Sequence, residues 1–296
     1  MIVRNKVLYL FILPAILYYI IFNYLPMYGI QIAFKDYMPK LGITGSPWLD
    51  PWYENFTTFF SSVNFWTYMK NTLRLSLYSL LIGFPVPIIL ALLVNEVKNT
   101  KFKKFVQNIT YLPYFISTVV LVGMLNLIFA YAGPINQVIM KFGGEPILFL
   151  TKAELFPHLY VWSGLWTSMG YSAVIYISAL SGVSPDLHEA AILDGASRLQ
   201  RIRYVNIPAI LPTITIMFLL ALGGVMSVGY EKAYLMQNAL NTEYSEILST
   251  YVYKVGLQGG RFGFSAAVGL FNNIINLILL VSANFLSRKV GETSLW

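Results

Sequence analysis

SPDLHEAAILDGASRLQRIRYVNIPAILP, residues 184–212, is polar and basic, yet it lies between two strongly apolar stretches. Its local grammar predicts two short helices meeting at a turn. Ser184 suits a helix N-cap, Pro185 suits the first helical position, and Asp186 adds negative charge where a helix N-terminus favours it. Residues 188–193 continue in helix formers. Asp194-Gly195 then supplies a turn, because glycine takes backbone angles that other residues resist. A second helix is expected from Ser197, with Leu199, Ile202 and Val205 on one face and Arg198 and Arg201 off it. Pro208 and Pro212 mark the return to apolar sequence. An elbow of this kind, held between two membrane spans, is built to dock on something.

The run Glu189-Ala190-Ala191, followed by Asp194-Gly195-Ala196 and then by Pro208 and Pro212, resembles the EAA loop of ABC importer permeases. That resemblance implies that these residues, with Arg198 and Arg201, enter a cleft on an ATP-hydrolysing subunit and pass its motion to the membrane helices. The family usually carries aromatic residues in the second helix, where this chain has Leu199 and Ile202.

Composition points to the membrane independently. The chain is 57% apolar and 11% charged, with mean hydropathy +0.63, whereas a soluble domain is nearer half apolar and a quarter charged. Six stretches are long enough to cross roughly 30 Å of hydrocarbon at about 20 residues each. They lie near 7–25, 71–94, 106–131, 158–180, 209–229 and 264–286, and one transmembrane domain is expected over residues 1–296. The first is too long for a signal peptide, and the residues after it lack a small-residue cleavage site. Pro85 and Pro87 are expected to kink the second. With both termini placed in the cytoplasm, the inside segments carry a net +6, from Arg4, Lys6 and Lys98 through to Lys289 and Glu292, and the outside segments only +1. The basic excess is therefore the positive-inside signal, with the Lys cluster near 98–104 suited to anionic lipid, and does not indicate nucleic acid.

Cysteine is absent, which excludes disulfides and thiolate metal sites, and the two histidines, His158 and His188, are far apart in sequence. Every Asp and Glu falls in a loop or at a span end. An ion-driven carrier would place carboxylates on an intramembrane pathway. A membrane-embedded enzyme would need a His/Asp/Glu cluster or an activated nucleophile near the interface. Neither pattern is written here, nor is a phosphate-cradling GxxxxGK[ST] loop. Energy must then come from a partner, as the elbow suggests.

Uncharged polar and aromatic residues recur in the spans. Asn272, Asn273 and Asn276 lie in the last, Asn108, Tyr111 and Tyr114 at the start of the third, and Trp162, Trp166 and Tyr171 in the fourth, with Arg74 near the outer end of the second. Amides and aromatic faces suit sugars, which offer hydroxyls and apolar C–H faces; the same groups also serve as interhelical glue. The segment 229–238, GYEKAYLMQN, resembles that of carbohydrate permeases of the maltose type. Residues 249–257 and 267–272 resemble the sub-branch for complex or uronate-containing oligosaccharides. The resemblance implies that Tyr230, Glu231 and Gln237 face the pathway or a docked binding protein. Glu231 is equally placed to pair with Lys232.

The expectation is thus an all-α membrane protein of the type I ABC importer fold, with six spans and a cytoplasmic coupling loop between the fourth and fifth. The resemblance implies a non-enzymatic permease for oligosaccharides in a bacterial plasma membrane. It implies a second homologous permease, two ATP-binding subunits that carry ATP and Mg, and an extracytoplasmic solute-binding protein.

Overall fold

The computed structural model describes residues 6–290, Ser294 and Leu295. Arg4 and Glu292, counted in the inside charge balance, lie outside the described residues. Helix dominates, and the β pairing among the described residues is an isolated bridge between Lys35 and Trp48. The longer helices are α1 Lys6–Tyr19, α2 Phe65–Gly83, α3 Pro85–Asn95, α4 Thr100–Tyr111, α5 Thr118–Ile128, α6 Pro134–Lys141, α7 Phe156–Ser181, α8 Pro185–Leu193, α9 Ile207–Gly223, α10 Tyr230–Met236 and α11 Phe262–Val290.

Four continuous helical runs among the described residues are long and apolar enough to cross a membrane: Tyr9–Phe34, Phe65–Asn95, Arg198–Gly223 and Phe262–Lys289. The helix is interrupted at Phe84, beside Pro85, within the single run of 31 residues that α2 and α3 form. Two expectations change, for the third and fifth stretches.

The stretch 106–131 is not a straight span; α4, with the turn that follows it, and α5 meet at a bend of 100°. Pro113 withholds a backbone N–H, Leu112–Phe115 tightens into a 3-10 turn, and Ile116 and Ser117 are extended. Ser117 then caps α5 by accepting from Val120 N at 3.3 Å. The fourth stretch is a helix of 26 residues, long enough at about 39 Å. Its tyrosines, tryptophans and serines keep it below the apolarity of the other four. The fifth helix ends at Gly223 and does not run to 229. The Gly223-Gly224 pair is a poor helix former, and residues 224–229 turn irregularly before α10.

The chain divides into two compact units. In Met1–Phe65 with Tyr251–Asn272, Phe59 is fully buried and meets the rings of Phe65, Phe264 and Phe271 at centroid distances of 5.0, 6.3 and 5.6 Å. Trp48 and Trp52 stay exposed, as rings bound for the headgroup layer would. The apolar window of Tyr9–Phe34 is not buried by the chain itself.

In Trp66–Thr250 with Asn273–Trp296, the described residues form two separate hydrophobic clusters. Leu75, Leu121, Leu125, Phe156, Tyr160, Met236 and Ile247 join α2, α5, α7 and α10. Ala91, Leu92, Ala173, Tyr176, Leu180 and Ile210 join α3, α7 and α9, with Ile202 and Ile207 packed against them. The second core roots the elbow in the helices it leads to.

Candidate functional site

The elbow forms as its residues dictate. Ser184 Oγ accepts from Asp186 N at the start of α8. At its end Gly195 N donates to Ile192 O and Ala196 N to Ala191 O, at 3.0 and 2.9 Å, with Gly195 at φ +79°. This pairing of bonds around a left-handed glycine closes a helix and satisfies its last carbonyls. Ser197 and Gln200 then cap each other's backbone in a reciprocal box. The chain runs on through Arg198–Arg201 and one wide π turn, Ile202–Asn206, into α9.

Glu189, Ala190, Asp194, Gly195 and Arg198 are exposed, and Ala191 and Ala196 are half-buried in the turn they close. The outer face of the elbow is also apolar: Leu193 is 88% and Leu199 74% exposed, beside Leu187, Ile192 and Tyr204. Leu199 thus parts from Ile202, its expected face-mate, and Ile202, Asn206 and Ile210 make the inward side. Arg201 turns inward, its Nη2 standing 3.6 Å from Glu96 Oε2 at the end of α3. Asn206, wholly buried, donates to Glu96 Oε1 at 3.5 Å. The elbow is tied by charge to the second helical run.

A cavity of about 890 Å³ lies in the same unit, walled by α2 and α3, by α7, and by α9 with the irregular residues after it. That is the size of an ordinary small-ligand site. Its polar groups are hydroxyls: Ser76, Ser79, Ser172, Ser178 and Ser227, with Tyr160, Tyr171 and Tyr176; no Asp, Glu, Lys, Arg or His lines it. Ser76 is buried, and its Oγ has no partner among the described residues. Gly224, Val225 and Ser227 to Gly229 put non-helical backbone on the wall. Irregular backbone at membrane depth is tolerated where it lines a cavity and finds partners. Here Met226 N donates to Asn276 Oδ1 at 2.8 Å, Asn276 Nδ2 to Ser227 Oγ at 2.9 Å, and Ser249 Oγ to Val228 O at 3.0 Å.

Of the residues singled out in the spans, Tyr171 lines this cavity, and the other pathway candidates are not among its wall residues. Tyr114 comes nearest in role. It stacks on the wall residue Tyr171, with ring centroids 3.9 Å apart and planes within 8°. Asn276 is buried as a brace for the break after α9; Asn272 is half-buried with an unpartnered Oδ1, and Asn273 and Trp166 are exposed. Arg74 packs over the Tyr244 ring at 4.4 Å. Gln237 donates to Ser245 O and Thr250 Oγ1 inside the 237–250 loop. Tyr230 and Glu231 are exposed. Glu231 does not pair with Lys232, whose Nζ donates to Tyr160 O at 2.7 Å.

The wall was nonetheless readable. Ser76, Ser79 and Gly83 recur at i, i+3 and i+7, and so do Tyr171, Val174 and Ser178. Each set is one helix face.

A family model described as "Binding-protein-dependent transport system inner membrane component" matches residues 83–292. The polygalacturonan/rhamnogalacturonan transport system permease protein YteP of Bacillus subtilis (strain 168) is 44% identical, over 99% of this chain and 91% of that protein. Protein LplB of the same strain is 40% identical, over 99% and 92%. Among solved structures, a bacterial ABC transporter involved in the import of the acidic polysaccharide alginate matches with TM-score 0.89 and 38% identity, covering 98% of this chain and 97% of that one. The alginate transporter in complex with alginate pentasaccharide-bound periplasmic protein matches at 0.90 and 37%, covering 99% and 98%. Similarity of this extent, reaching from end to end of an all-helical membrane chain, settles the point: the protein belongs to the family of binding-protein-dependent transport system inner membrane components, and it is a transport subunit, not an enzyme.

Proposed function

We propose that this chain is the translocation-pathway subunit of an ATP-driven importer of oligosaccharides in a bacterial plasma membrane, with acidic cargo preferred. The observation that carries the reading is a hydroxyl-lined, charge-free cavity built on the same helix that the elbow feeds. Hydroxyls and the Tyr171 ring suit sugar, and an anionic sugar meets no buried like charge there. One similar protein is named for polygalacturonan and rhamnogalacturonan, and another for the acidic polysaccharide alginate.

In this reading Glu189, Asp194, Gly195 and the exposed leucines around them dock on an ATP-binding subunit. Two such subunits carry ATP and Mg, a second homologous permease completes the pathway, and a solute-binding protein delivers cargo from outside. The whole chain acts as one permease domain with six spans, α7 being the fourth, and both termini and the elbow are cytoplasmic. The test is to offer the reconstituted importer, with its binding protein, neutral and uronate-bearing oligosaccharides of equal length. ATP hydrolysis is expected to rise most with the acidic set. A response to the neutral set alone defeats the acidic preference, and a response to peptides instead defeats the sugar reading.

A further inference from the structure

Lys232 has no carboxylate partner among the described residues. Half-buried in α10, it packs against α7, with its Nζ 4.6 Å from the centroid of the Tyr160 ring as well as bonded to the Tyr160 carbonyl. An ammonium carries three donors; one is accounted for, and no carboxylate of a described residue forms an ion pair with it. Room for it is made by Gly164, where a β-carbon would stand 3.0 Å from Nζ. Tyr160 itself lines the cavity and donates from its hydroxyl to Gly229 O at 3.3 Å, another wall residue. The ammonium is therefore one side chain removed from a cavity that has no charge of its own.

Keeping a charge there without a counter-charge is costly. Burial pulls Lys232 down to about 7, so the charged form is held only weakly until an anion joins it. The same cavity holds the unpartnered Oγ of Ser76.

We propose that Lys232, behind Tyr160 and Gly229, is the carboxylate-recognising group of this cavity, and that it selects a uronate unit over a neutral sugar unit. Its flexible stem lets the ammonium leave the Tyr160 carbonyl for the anion, and Ser76 is the hydroxyl donor available to the same ligand. This rests on the acidic-oligosaccharide reading above. It differs from that reading in naming one residue of this chain as the source of the preference.

The experiment uses the assembled importer with uronate oligosaccharides and their methyl esters, which match in length and ring but lack the charge. The readout is the ratio of acid to ester uptake. Lys232→Met is expected to lower that ratio about tenfold, as removal of one buried counter-charge does, and Lys232→Arg to keep most of it. An equal loss of both cargoes in Lys232→Met would make the residue a mere tie between α10 and α7 and overturn the proposal. An unchanged ratio would overturn it too, while leaving the cargo reading intact. Preference for the ester by the unsubstituted protein would bring down the cargo reading itself, and the subsite with it.

Discussion

Gly195 decides whether the elbow closes. It holds φ +79°, and a β-carbon there would meet nothing within 4 Å, so the demand is on the backbone and not on space. A branched residue forced into that region costs about 1–2 kcal/mol. Gly195→Val is expected to open the turn between α8 and Ser197 and to lower uptake and its coupled ATP hydrolysis, with the helices still inserted; transport assays on the assembled importer check it. Gly170 makes the opposite demand. A β-carbon there would lie 2.0 Å from Thr110 O, so glycine is what lets α7 approach α4 closely. The first glycine was legible in the sequence because Asp-Gly after a helical run is a local signal. The second was not, because the atom that requires it is some 60 residues away in sequence.

At the scale of elements the same division holds. α8 and the caps around it follow from neighbours in sequence and stood where the residues placed them. The 100° bend before α5 and the break after Gly223 depend on more distant support, Asn276 for the break, and hydropathy alone read through both. In the candidate pathway, Asn276 and Gln237 brace irregular backbone, Tyr171 lines the cavity, and the serine face of α2 beside it carries little local signal because serine is common in helices.

The tie between Glu96 and Arg201 also belongs here, since it joins α3 to the elbow across more than a hundred residues. Both side chains are more than four-fifths shielded, at 17% and 18% exposure. Glu96→Arg and Arg201→Glu are each expected to weaken coupling between ATP hydrolysis and uptake. The double exchange should recover part of it, with an interaction energy of about 1 kcal/mol. Additive losses would show that the pair carries nothing.

For the whole molecule, the absence of native cysteine makes orientation directly measurable. Ser197→Cys, exposed in the elbow, is expected to react with an impermeant thiol reagent in inverted vesicles and to stay silent in intact cells. Labelling from outside would reverse the orientation assigned by the basic residues.

The charge-free wall of the cavity has an electrical consequence. No residue of that wall carries a formal charge at neutral pH, so rearranging it moves almost no charge through the membrane field. With neutral cargo this wall should add no voltage dependence to the transport cycle. A uronate chain brings its own charge, and entry into a cell with a negative interior then works against the field by about 2.3 kcal/mol per charge for each 100 mV. In vesicles held at a potassium diffusion potential, uptake should slow as cargo gains carboxylates and stay flat for their esters. The voltage a cell maintains would then set how many acid groups one round of ATP hydrolysis can bring in.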